Sequence, residues 1–134
     1  MQLWTASDSL YENLISSDST DVQAYNNYAY SLVERNERLD FALQISTKAI
    51  SLVPKNAAYL DTYGWILFKL GKHDEALNYI QHSIELENTN VIVLEHLGDV
   101  LMRVNRKTDA LKFYRKAYEF DSSNDTLKNK AFPE

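Results

Sequence analysis

A shift of 34 positions lays much of this chain onto itself. Gly64 falls on Gly98, Leu67 on Leu101, Ala76 on Ala110, Leu77 on Leu111 and Ser83 on Ala117. The opposite shift carries Ala76 to Ala42, Ser83 to Ala49 and Asn88 to Pro54. A fixed period of this length marks an array of helix pairs, since one pair cannot bury its apolar face alone and must stack on its neighbours. The best copy runs from Asn56 to Asn88. It reads as two amphipathic helices around a tight turn at Leu70, Gly71 and Lys72.

The rest of the composition agrees with helix and little else. The 134 residues contain three glycines and two prolines, so few helix breakers are available. Net charge is −5. Lysines and arginines are scattered, with small clusters at Arg103–Lys107 and Lys112–Lys116, so no basic face points to nucleic acid. Cysteine is absent, which removes disulfide and thiolate chemistry and fits both cytoplasm and periplasm. No stretch approaches the roughly 20 apolar residues of a membrane span. Met1-Gln2-Leu3-Trp4 lacks the pattern of a signal peptide. The opening inside a helical pattern points to a segment of a longer chain.

Taken in order, residues 3–17 carry Leu3, Trp4, Leu10, Tyr11, Leu14 and Ile15 at helical spacing, as a half unit. Residues 22–54, 57–88 and 91–122 form three full units. Their helices are expected at 22–35 and 39–52, 57–70 and 73–87, and 91–104 and 107–120. Residues 125–131 form a short cap in which Leu127 and Ala131 cover the open end. The whole of 1–134 reads as one domain. Ala29 lies 35 positions before Gly64, one more than the period, so an extra residue belongs in the turn around Asn36–Arg38. Asn105 replaces Gly71 at the next turn, and both tolerate a left-handed backbone.

Small residues set the spacing. Ala29, Gly64 and Gly98 let the second helix of each unit approach the first, Ala42, Ala76 and Ala110 reciprocate, and Ala49, Ser83 and Ala117 admit the next unit. This pattern resembles the tetratricopeptide repeat (TPR) family. Unit two carries it as Leu60, Tyr63, Gly64, Leu67, Gly71, Ala76, Ile80 and Ser83, and unit three as Leu94, Leu97, Gly98, Leu101, Ala110, Tyr114 and Ala117. Unit one follows with Tyr25, Tyr28, Ala29, Leu32, Ala42, Ala49 and Pro54, and departs at Ser46, where a large residue is usual. The resemblance implies an all-α fold, a right-handed superhelical α-solenoid of stacked antiparallel helix pairs. The strings YLDTYGWILFKLGK and VIVLEHLGDVL are similar to the C-terminal part of long bacterial TPR adaptors, several of them envelope lipoproteins.

The resemblance also implies a groove lined by the first helices that takes a peptide or helix of another protein. That register places Asn26, Asn27, Tyr30, Val33 and Glu34 there from unit one. Asp61, Thr62, Trp65, Phe68 and Lys69 follow from unit two, and Glu95, His96, Asp99, Met102 and Arg103 from unit three. One reading makes Trp65, Phe68 and Tyr30 an exposed aromatic anchor, with Asp61, Glu95 and Asp99 favouring an apolar ligand that carries Lys or Arg. The other has Trp65 and Phe68 packing between units and stiffening the array. A clamp for C-terminal carboxylates, a known use of the family's groove, needs cations that are missing here: Asn26, Tyr30, Thr62, Ile92 and His96 hold those places. His73, His82 and His96 lack metal-ligand spacing, and His96 reads as alone in the groove. No phosphate loop or nucleophile motif occurs, so a non-catalytic interaction module without cofactor or metal is expected. The alternative is a packing segment of a longer array that self-associates through end residues Leu3, Trp4 and Leu10, and Tyr118 and Leu127.

Overall fold

A computed structural model describes residues 21–133. The half unit at 3–17, with Leu3, Trp4 and Leu10, lies outside the described residues. Seven α-helices follow one another and no strand is present among the described residues. They are α1 (Val22–Glu34), α2 (Leu39–Leu52), α3 (Ala57–Lys69), α4 (His73–Leu86), α5 (Val91–Arg103), α6 (Lys107–Phe120) and α7 (Asp125–Ala131). Each begins and ends within one residue of the limits expected from apolar periodicity.

The helix starts explain this legibility. The first helix of every unit opens on a short polar side chain that accepts a backbone N–H otherwise left without a partner. Asp21 accepts from Ala24 at 3.0 Å, Asn56 from Tyr59 at 3.1 Å, Asn90 from Ile92 at 3.0 Å and Asn124 from Leu127 at 3.1 Å. The caps are one period apart, except that the first step is one residue longer. Asn124 keeps the period, so α7 stands where the first helix of a fourth unit would begin. Second helices lack a side-chain cap, but α4 carries Asp74 and Glu75 in its first turn, where the helix dipole favours negative charge.

The turns inside each unit are equally regular. Asn36, Gly71 and Asn105 have φ of 54°, 85° and 64°. Each donates its N–H to the carbonyl three residues back, and the following residue donates five back. That pairing closes the first helix with a left-handed residue just beyond its end. After Gly71, Lys72 alone precedes α4. After Asn36, both Glu37 and Arg38 intervene, and Arg38 is itself left-handed at φ 48°. The turn of unit one is thus one residue longer, where the sequence places the addition.

Packing follows the small residues. A Cβ on Gly98 would overlap the ring of Tyr114, and one on Gly64 would stand 2.7 Å from Cγ1 of Ile80. Where the second helix carries Ser46 in place of Ile80 or Tyr114, the first carries Ala29 in place of glycine, so volume moves from one helix to the other. Ser83 earns its place among alanines by donating to the Ala57 carbonyl at 2.7 Å. Second helices pack onto the first helix of the next unit, while α3 also touches both α1 and α5. The first helices therefore form the inner face of an α-solenoid.

The short α7 buries Leu127 and Ala131 completely, with Leu127 beside Leu94 and Ala117. This corrects one expectation: Leu127 closes the end rather than offering an apolar surface for self-association. Phe120 and Phe132, not Leu127, are the exposed large side chains there.

Candidate functional site

The inner face is a groove built from three adjoining cavities of about 380, 290 and 350 Å³. Asn26, Asn27, Asp61 and Thr62 line one of them. Trp65, Lys69, Glu95 and His96 line the next, and Tyr30 belongs to both. Phe68, Met102 and Arg103 line the third, which shares Asp99 with the second. The residues placed in the groove by register thus lie on its walls. Their exposure differs sharply, and three expectations change.

First, Trp65 is not an exposed anchor. It is 7% exposed, stacked on His96 with ring centres 3.8 Å apart and on Phe68 at 4.9 Å. The Lys69 ammonium lies 5.0 Å from its ring, a cation over an aromatic face. The aromatic stack joins α3 to α5, so the packing reading describes Trp65.

Second, His96 is not alone. Its Nδ1 lies 3.0 Å from Oδ1 and 3.1 Å from Oδ2 of Asp61. Both residues are buried, at 6% and 4% exposure. Sequence reasoning missed the pair because its members belong to different units and only neighbouring first helices bring them together. Among the described residues, no group of three or more His, Cys, Asp or Glu is placed to hold a metal ion.

Third, the acidic flank is already partnered. Asp61 faces His96. Lys130 of α7 reaches back to Glu95 at 2.6 Å and Asp99 at 3.1 Å, and Tyr114 donates to the same Asp99 oxygen at 2.6 Å. Burial opposes the charge on Lys130, but the hydrogen bonds and charges of Glu95 and Asp99 outweigh it and hold its pKa above the usual lysine value. Burial, then the hydrogen bond to Asp99, pushes the Tyr114 hydroxyl up. Burial, then the hydrogen bond to Glu34, does the same to Tyr30.

What the groove offers to solvent is a different set. Asn27, Glu34, Lys69, Met102 and Arg103 are exposed. So is Ile92, 52% exposed at the start of α5, where it lines the two cavities that Tyr30 shares. Its signal is an apolar residue two positions after a cap, on the groove side of the register. No helix among the described residues is long and apolar enough to cross a membrane.

Stacked antiparallel helix pairs with a cavity-lined inner face define the chain as an α-solenoid repeat protein. Two tetratricopeptide repeat family models match it, one over residues 57–90 and the other over 93–124. The chain belongs to the tetratricopeptide repeat family. It is 31% identical over 70 residues to the TPR repeat-containing protein PA4667 of Pseudomonas aeruginosa. That stretch is 52% of this chain and 12% of the longer protein. Among solved structures it is similar to MamA, with TM-score 0.79, 15% identity, and coverage of 92% of this chain and 72% of that one. TTC0263, a thermophilic TPR protein in Thermus thermophilus, gives 0.79 at 20% identity, covering 92% and 69%. YrrB, described as a TPR protein with an unusual peptide-binding site, gives 0.78 at 21% identity, covering 90% and 62%. At these identities the likeness is one of fold.

Proposed function

We propose that this chain is a non-catalytic interaction module whose inner groove binds a peptide or helix from another protein. The observation that carries this reading is Ile92. A large aliphatic side chain stands half in solvent at the junction of two cavities, among polar groups supplied by α1, α3 and α5. An exposed apolar residue set in a concave wall, with polar groups close by, is the arrangement of a ligand contact. Exposed Glu34 beside it favours a ligand whose apolar residue is flanked by Lys or Arg. The thirteen groove residues divide accordingly. Asn27, Tyr30, Phe68, Lys69, Glu95, Asp99, Met102 and Arg103 meet the ligand, while Asn26, Asp61, Thr62, Trp65 and His96 form the buried floor that shapes it.

The test selects binders from a random peptide phage library and measures the winners against Ile92→Asp. That substitution places an acid in the first turn of α5, where it favours the helix, so the fold is retained. Selected peptides should share an apolar residue next to a basic one and lose at least tenfold in affinity. Peptides that bind Ile92→Asp as tightly as the parent would overturn the groove assignment.

A further inference from the structure

The charge pairs of the inner face follow a rule that the first unit breaks. Counted from its N-cap, the fifth residue of one first helix meets the sixth residue of the next. Asp61 and His96 occupy these places between α3 and α5, and Glu95 and Lys130 occupy them between α5 and α7. Each pair ties one unit to its neighbour by a charge-assisted contact. Between α1 and α3 the same two places hold Asn26 and Thr62. Thr62 turns inward and donates to the Ala58 carbonyl of its own helix at 3.0 Å. The Asn26 carbonyl oxygen is buried with no hydrogen-bond partner.

A second observation points to the same unit. Among the described residues, the buried side-chain atoms without a hydrogen-bond partner are the Tyr25 hydroxyl, the Asn26 oxygen and the Ser46 hydroxyl, and all three belong to α1 and α2. An unpaired buried polar group costs desolvation that nothing returns, and opening to water recovers it. Of these atoms the Asn26 oxygen lies at the step between α1 and α3, so closure there leaves a buried polar group unpaired where the later steps form a charge-assisted contact.

We propose that the step between α1 and α3 is the adjustable joint of the solenoid, with α3 through α7 forming a locked block. The cavity of about 290 Å³ spans this joint, with Asn26 on one side and Thr62 on the other. Rotation of α1 and α2 about the joint widens or narrows that cavity, and closure on a ligand that donates a hydrogen bond there satisfies Asn26. The consequence for ligands rests on the groove reading; the joint itself does not.

Native-state hydrogen exchange of the ligand-free full chain, read by mass spectrometry, tests it. Amides of α1 and α2 should exchange at least tenfold faster than those of α3 to α6, through an opening that leaves α3 to α6 protected. The double variant Asn26→Asp, Thr62→His copies the later pair into the joint and should slow unit-one exchange about tenfold. The reciprocal variant Asp61→Asn, His96→Thr should move the boundary, so that α1 to α4 open together. Equal protection of α2 and α4 in the parent chain overturns the proposal. So does unchanged unit-one exchange in a folded double variant, and, should that variant not fold, a boundary that stays put in the reciprocal one. Failure of the peptide selection leaves these results untouched, so the two readings fail separately.

Discussion

Trp65→Ala separates packing from ligand contact in this groove. Trp65 is nearly fully buried and stacked on both His96 and Phe68, with the Lys69 ammonium near its ring. Truncation removes that buried aromatic surface and the stack that joins α3 to α5. It also opens the Asp61–His96 pair to water. A core tryptophan reduced to alanine costs about 3–5 kcal/mol. For a domain of this size each kcal/mol moves Tm by about 3–5 °C, so the variant should melt roughly 10–25 °C below the parent. Ile92→Ala is the control, because an exposed substitution stays within about 0.5 kcal/mol. Circular dichroism at 222 nm, a wavelength set by the helical backbone, follows both melts. A Trp65→Ala melt within about 3 °C of the Ile92→Ala melt would refute the argument, since a residue that locks two units cannot be removed at so small a cost. The consequence for binding studies is direct: loss of a partner on removing Trp65 and Phe68 together reports unfolding before it reports contact.

The remaining predictions concern close approach and protonation. Gly98→Ala gains about 1 kcal/mol of helix propensity but drives a Cβ into a Tyr114 ring whose hydroxyl is held by Asp99. Overpacking of about 1–3 kcal/mol, added to the strained hydrogen bond, should leave the variant less stable in a thermal melt, whereas Gly71→Asn, at φ 85° in open space, should melt within a few degrees of the parent. Alkaline pH gives a signed test. Folding raises the pKa of Lys130, Tyr114 and Tyr30, so each favours the protonated folded state. Their contribution is complete below about pH 10 and is lost as pH rises through the raised values. Tm should fall above about pH 10 in the parent, and less steeply in Lys130→Gln; parallel profiles would contradict the assignment.

The helices were legible in the sequence because cap, turn and small residue recur at the same place in every unit. Asp21, Asn56, Asn90 and Asn124 start helices for one physical reason, and Asn36, Gly71 and Asn105 end them for another. Local chemistry of that kind needs no knowledge of neighbours. The site was legible only in part. Register alone put the right residues on the inner face, but not the depth of each one. Trp65 reads as exposed on an isolated helix, and becomes buried only when His96, 31 positions later, lies flat against it. Lys130 reads as part of a short cap, and reaches the groove residues Glu95 and Asp99 only because α7 keeps the period.

The same reasoning changes how departures from the repeat are read. Residues that differ between units, such as Asp61, His96 and Glu95, look like ligand contacts because shared packing does not explain them. Here they act in pairs across units, so their difference is required: a pair needs unlike partners in successive helices, Asp61 against His96 and Glu95 against Lys130. At the fifth and sixth places after a cap, the residues of this chain thus follow the contacts between successive units. Variation at exposed groove places, namely Asn27, Glu34, Lys69, Ile92, Met102 and Arg103, is free of that duty. In the proposed groove a partner's preference would be written in those positions, and the Asn26–Thr62 step, which carries no charged pair, is the proposed place for the array to yield.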